Sequence, residues 1–191
     1  MKPSYDKGRA AANIARVPLC ARVSKKDGLK ATAYHEAGHA VASWYQGLKF
    51  KEASIVPNSD EGTLGHVLTC RFPKWFDPEI DATPKVRLRA EAEIMSLFAG
   101  QIAEAKFRGR KPRFGMESDN QHAVEFGRYF ASGDTLEAFL HFLFLSSRDL
   151  VNRRWREIGW VAEELLSGKR LTYNCVKEVI DRGYGFKPAA S

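Results

Sequence analysis

Long apolar runs are missing from this chain. The most apolar stretch, 139–145 (FLHFLFL), is interrupted by His141 and falls far short of the ~20 residues that a bilayer span requires. Residues 1–20 carry no continuous apolar segment of the kind a secretory signal needs. Together these absences lead to the expectation of a soluble, cytoplasmic protein. Cysteine is scarce: Cys20, Cys70 and Cys175 are odd in number, far apart and form no CxxC pair. That excludes a readable zinc knuckle or disulfide framework and fits free thiols in a reducing compartment. No GxxxxGK[ST] loop occurs, so ATP is not an expected cofactor. Acidic residues are outnumbered, 23 against 30 Lys and Arg, for a net charge of +7. The basic residues are spread out and no nucleic-acid-binding motif accompanies them, so nucleic acid is not an expected partner. The one dense basic run, 106–113 (KFRGRKPR), contains Gly and Pro and reads as a loop.

The 191 residues suit one domain with a tail. Residues 1–28 are basic, weakly periodic and punctuated by Gly8 and Gly28, an arm ahead of a domain at 29–185, with 186–191 as a C-terminal tail. A helix is expected over 29–46, stopped by Gly47. The pattern then switches to strand over 49–57, turn residues at 58–62 and strand again over 63–72, a hairpin or two neighbouring strands. A long helix follows at 85–107, with Ile94, Phe98, Ile102 and Ala105 on one apolar face. Further helices are expected from Ser118 to about 131, over 135–145, through Val151, Trp155, Ile158, Ala162 and Leu165, and over 172–182. The fold class is mainly α with a small β-hairpin or sheet.

The α-rich N-terminal segment contains HEAGH, with His35 and His39 four residues apart. Four residues advance a helix by ~400°, so the two imidazoles stand one turn apart on one face. At that spacing each can give a nitrogen to one tetrahedral Zn²⁺. Glu36 stands beside the metal rather than on it, placed to act as general base and acid on a zinc-bound water. Chance supplies an HExxH only about 0.01 times in a chain of this composition. Gly38 inside the motif costs helix propensity and implies close approach by another group. The plainer alternative is a helix with two polar histidines on a partly exposed face.

A catalytic zinc site needs a third protein ligand. His66, Glu104, Glu117, Asp119, His122 and His141 are the candidates. His66 falls in a strand, and His141, among phenylalanines, reads as core or partner-packing. Spacing alone does not choose among Glu104, Asp119 and His122.

Several blocks in order resemble the protease domain of the FtsH family of ATP-dependent zinc metalloproteases. They are TAYHEAGHAVAS (32–43), SIVPNSDEGTLGHVL (54–68), LFAGQIAEAKFRG (97–109) and GMESDNQHA (115–123). The resemblance implies a zincin-like helical protease domain that binds Zn²⁺. It makes His35 and His39 ligands, Glu36 the catalytic residue and Asp119 the third ligand. The strand around Gly65 and His66 is similar to the edge where a substrate peptide adds as an extra strand. The sequence departs from the family pattern at Gln101, Ala105 and Ser118. It also shows neither the ATPase module nor the membrane spans that precede this domain in the family. The expectation is a zinc metalloendopeptidase acting on peptides or unfolded protein segments independently of ATP, alone, as a homo-oligomer or with a separate partner protein. The rival expectation is a zinc-binding regulatory or interaction protein without general protease activity.

Overall fold

Small side chains decide how the first two long helices meet. α1 (Lys25–Tyr45) and α2 (Pro84–Phe107) form the central pair in a computed structural model that describes residues 25–57, 65–114 and 118–185. α1 buries Ala33, Ala37, Ala40, Val41 and Ala42, and α2 buries Ala99, Gly100 and Ala103. With so little side chain between them the backbones approach closely. A Cβ built on Gly38 would lie 2.6 Å from the Ala99 carbonyl oxygen and 2.8 Å from the Ala103 Cβ. The glycine inside the histidine motif is explained by the neighbouring helix. Gly38→Ala tests that contact. Alanine gains up to about 1 kcal/mol of helix propensity, whereas overpacking costs roughly 1–3 kcal/mol. Net destabilisation is expected, read as a lower urea midpoint at unchanged m-value; a midpoint at or above wild type would refute the contact.

After α2 come α3 (Ser118–Arg128), α4 (Gly133–Arg153), α5 (Trp155–Gly168) and α6 (Tyr173–Gly183). α1 begins at Lys25, within the stretch read as a basic arm. Residues 1–24, with Cys20, and the tail at 186–191 lie outside the described residues. The segment expected as a short helix at 135–145 is instead part of the 21-residue α4, which buries Leu140, Leu143, Phe144 and Val151. Val151 therefore belongs to α4 and not to the helix of Trp155. No Gly or Pro announces the break at Arg154. One tertiary contact accompanies it, the guanidinium 3.9 Å from the Tyr45 ring centroid, and one local contact, Nη1 3.4 Å from the buried Glu157 three residues on. Such a break leaves no periodic signal. His141, expected in the core or against a partner, is exposed beside Phe114. It falls on the solvent side of α4, so the phenylalanines around it in sequence do not surround it in space.

Between α1 and α2 the chain forms β1 (Phe50–Ser54) and β2 (His66–Thr69), antiparallel, with Ala53 opposite Val67 and Ser54 opposite His66. The expected turn at 58–62 lies outside the described residues. A third strand, β3 (Arg170–Thr172), absent from the sequence reading, pairs antiparallel with the other side of β1. Three residues are too few to show an alternating pattern. The strand is set up by Lys169, which ends α5 in the left-handed region at φ 65°. Its carbonyl accepts the Ile55 N–H at 3.0 Å. The strand order β2-β1-β3 leaves β2 at an edge of the sheet. Among the described residues, no helix is long and apolar enough to cross a membrane.

Candidate metal and catalytic site

His35, Glu36 and His39 project from α1 into a cleft of about 860 Å³. β2 and its flanks wall one side with Gly65, His66 and Phe72, α2 contributes Ser96 and Glu104, and α3 contributes His122, Glu125 and Phe126. The volume falls within the roughly 300–1,000 Å³ common for ligand sites.

The histidines are held by their Nδ1 atoms. His39 Nδ1 lies 2.8 Å from the Ser96 carbonyl oxygen, which can only accept, so this nitrogen carries the proton. His35 Nδ1 lies 3.1 Å from Glu104 Oε2. Glu104 also accepts from Arg108 Nε at 2.8 Å. The hydrogen bond from His35, reinforced by Arg108 against partial burial, holds the Glu104 carboxyl below its ordinary pKa. An ionised Glu104 makes His35 Nδ1 a donor as well. In the neutral imidazoles, both lone pairs then reside on Nε2, and the two Nε2 atoms face each other at 3.0 Å. Facing lone pairs repel unless positive charge, a proton or a metal ion, lies between them. Two nitrogens each ~2.0–2.1 Å from one tetrahedral ion would stand about 3.4 Å apart, close to what is found. The donor set therefore fits a divalent cation that prefers imidazole. Anchoring of Nδ1 by a carboxylate and by a backbone carbonyl is the arrangement that fixes metal-binding histidines.

Glycines make room for these groups. A Cβ on Gly100 would lie 2.2 Å from His39 Nε2, so α2 passes the imidazole with no side chain to spare. A Cβ on Gly65 would lie 2.7 Å from Glu36 Oε1 and 2.8 Å from the Ser54 carbonyl oxygen. The buried Glu36 is thus packed against the start of β2. Gly65, expected at the substrate edge, lines the cleft, and the side of its backbone where a Cβ would stand is filled by Glu36. His66, the next residue, places Nε2 3.6 Å from Glu52 Oε1, and its buried Nδ1 makes no hydrogen bond among the described residues.

Of the candidate third ligands, Glu104 is engaged at the Nδ1 edge of His35, away from Nε2. His122 is exposed and lines the cleft. Asp119 lies one turn before it in the first turn of α3. The Asp119 side chain and Glu117 lie outside the described residues. Among the described residues no group of three His, Cys, Asp or Glu side chains is arranged to hold a metal. Sequence reasoning missed Ser96 and Gly100. The small-residue run around Gly100 was a signal for close approach, but nothing in the sequence said to what.

No family model matches the chain. Over 161 residues it is 30% identical to the ATP-dependent zinc metalloprotease FtsH of Rickettsia prowazekii and to that of Rickettsia felis, and 29% identical to that of Rickettsia typhi. Each match covers 81% of this chain and 23% of the relative. The similarity is to one segment of those proteins. The chain spans under a quarter of the length of the relatives it matches, and its mainly helical fold with a small antiparallel sheet is compatible with an FtsH-like protease domain.

Proposed function

We propose that this chain is a zinc metallopeptidase unit that hydrolyses peptide bonds in flexible or unfolded protein segments. The observation that carries the reading is the pair of Nε2 atoms facing each other at 3.0 Å, with both Nδ1 atoms tied back and Glu36 beside them. Similarity to the segment of FtsH proteins supports the same reading. His35 and His39 would hold the metal through Nε2, with Asp119 as the third ligand. Zinc bound there would act as a Lewis acid, lowering the pKa of water to about 7 and polarising the scissile carbonyl. The remaining chemistry belongs to the chain. The Glu36 carboxylate accepts a proton from the attacking water as its oxygen adds to the carbonyl carbon. It then delivers that proton to the amine nitrogen as the C–N bond breaks. β2, open on its outer side, offers main-chain hydrogen bonds to an extended peptide laid along the cleft. This chemistry needs no ATP.

The test is purified chain reconstituted with zinc and incubated with a flexible substrate such as casein. About one zinc per chain and cleavage are expected, with loss of cleavage on chelation and recovery when zinc is restored. Zinc retained without cleavage of any flexible substrate would overturn the peptidase reading and leave a zinc-binding module.

A further inference from the structure

Beyond the main cleft lies a second, smaller cavity of about 260 Å³ that the proposed chemistry does not use. Its walls are Phe72, Phe76, Phe126 and Tyr129, rimmed by the carboxylates of Asp77, Glu79 and Glu125. Phe72 packs against Phe76 and Phe126 with ring centroids 5.0 and 5.8 Å apart. The Tyr129 hydroxyl donates to Glu79 Oε1 at 3.3 Å, tying α3 to the loop before α2. Local loss of solvent, then the charge and hydrogen bond of Glu79 and the charges of Asp77 and Glu125, hold the exposed Tyr129 phenol above its ordinary pKa. Among the described residues, no Lys or Arg lines the cavity. In a chain of net charge +7, the charged residues described around this aromatic pocket are all carboxylates.

The cavity adjoins the cleft that holds the two histidines and Glu36. Phe72, Glu125 and Phe126 line both. The cleft wall runs from Gly65, against Glu36, along β2 to Phe72. On the other side His122 and Phe126 are one helical turn apart, about 6 Å. A peptide following β2 would therefore pass the cavity mouth a few residues from the bond being cut, at ~3.3 Å per residue. The cavity is smaller than sites for whole drug-sized ligands and suits one side chain. Aromatic faces attract cations through their quadrupoles, and the carboxylate rim supplies hydrogen-bond acceptors and opposite charge.

We infer that the Phe72–Phe76–Phe126–Tyr129 cavity is a subsite for a lysine or arginine side chain of the peptide substrate. The inference rests on the peptidase reading for the peptide's path. Its test separates binding from cleavage. Zinc-loaded Glu36→Gln chain is titrated with fluorescein-labelled peptides of Ala, Ser and Gly carrying one Lys, Arg, norleucine or Glu at scanned positions. Anisotropy should show about tenfold tighter binding of the Lys and Arg peptides than of norleucine at one position, weakening as salt rises. In a Glu79→Gln/Glu125→Gln background the Lys and Arg affinities should fall to that of norleucine, and Glu125→Lys should shift preference toward the Glu peptide. Equal binding of Lys and norleucine peptides at every position, or a preference that survives the double variant, would overturn the subsite. Cleavage by the wild type is scored separately. A basic preference without cleavage upholds the subsite and sinks the peptidase reading, and cleavage without a preference does the reverse.

Discussion

Glu36→Gln is expected to lower kcat/KM for a flexible peptide by at least about 10²–10⁴-fold while leaving zinc content unchanged. The substitution is close to isosteric, which matters at this position. Glu36 is buried, and its carboxylate packs where a Cβ on Gly65 would otherwise be. A glutamine fills the same space against the start of β2, so the sheet and the α1–β2 contact should survive. What changes, on the proposed mechanism, is the capacity to accept a proton from water and return it to the leaving amine. The amide can hydrogen bond but cannot carry that proton at neutral pH. Peptide hydrolysis and zinc content measured on the same preparations decide the matter. Residual activity above a tenth of wild type would assign the base to another residue, and His66 at the mouth of β2 would be the next to remove.

The second large effect comes from a residue that contacts no substrate. Gly100→Ala should strip most of the zinc from the protein, although it deletes no ligand. Two opposing terms can be weighed. Replacing glycine by alanine inside α2 ordinarily gains about 1 kcal/mol of helix propensity. Here the new methyl would stand 2.2 Å from His39 Nε2 and 2.6 Å from its two neighbouring ring carbons. The imidazole must swing away, breaking its 2.8 Å hydrogen bond to the Ser96 carbonyl and taking Nε2 off the shared point. Helical circular dichroism should persist while metal content falls. Full zinc occupancy in Gly100→Ala would mean that the metal does not use His39 Nε2. The same assay ranks the remaining candidates. Asp119→Ala should lose zinc as a ligand would, Glu104→Gln should weaken retention about 10–100-fold by loosening the His35 ring, and His122→Ala should retain it.

The sequence made the site legible in one place and obscured it in another. HEAGH announced two histidines on one helical face with an acid beside them because helix period and ligand spacing are both local properties. The tie-backs to Ser96 and Glu104 are not local. They depend on α1 and α2 crossing closely enough for Gly38 to meet Ala99, and only the folded pair reveals that. The hairpin of β1 and β2 was readable from alternation and turn residues. β3 was not, since three residues after a left-handed lysine carry no periodic signal. Likewise the split between α4 and α5 at Arg154 sits against a tyrosine ring far away in the chain, Tyr45, which the local pattern does not reveal, and Val151 falls in α4 and not in the helix of Trp155.

The pairing of β1 with β3 also sets an order of events during synthesis. Ser54, whose carbonyl borders Gly65, sits in a strand whose other side is completed only by Arg170, Leu171 and Thr172. Residues Glu52 and Arg170 are 118 positions apart. At ~5–20 residues per second, a ribosome takes roughly 6–24 s to travel between them. For that interval the nascent chain has the residues of α1, β1 and β2 but not the strand that flanks β1 on its other side. The emerging polypeptide thus holds both imidazoles well before it holds a finished sheet beside them.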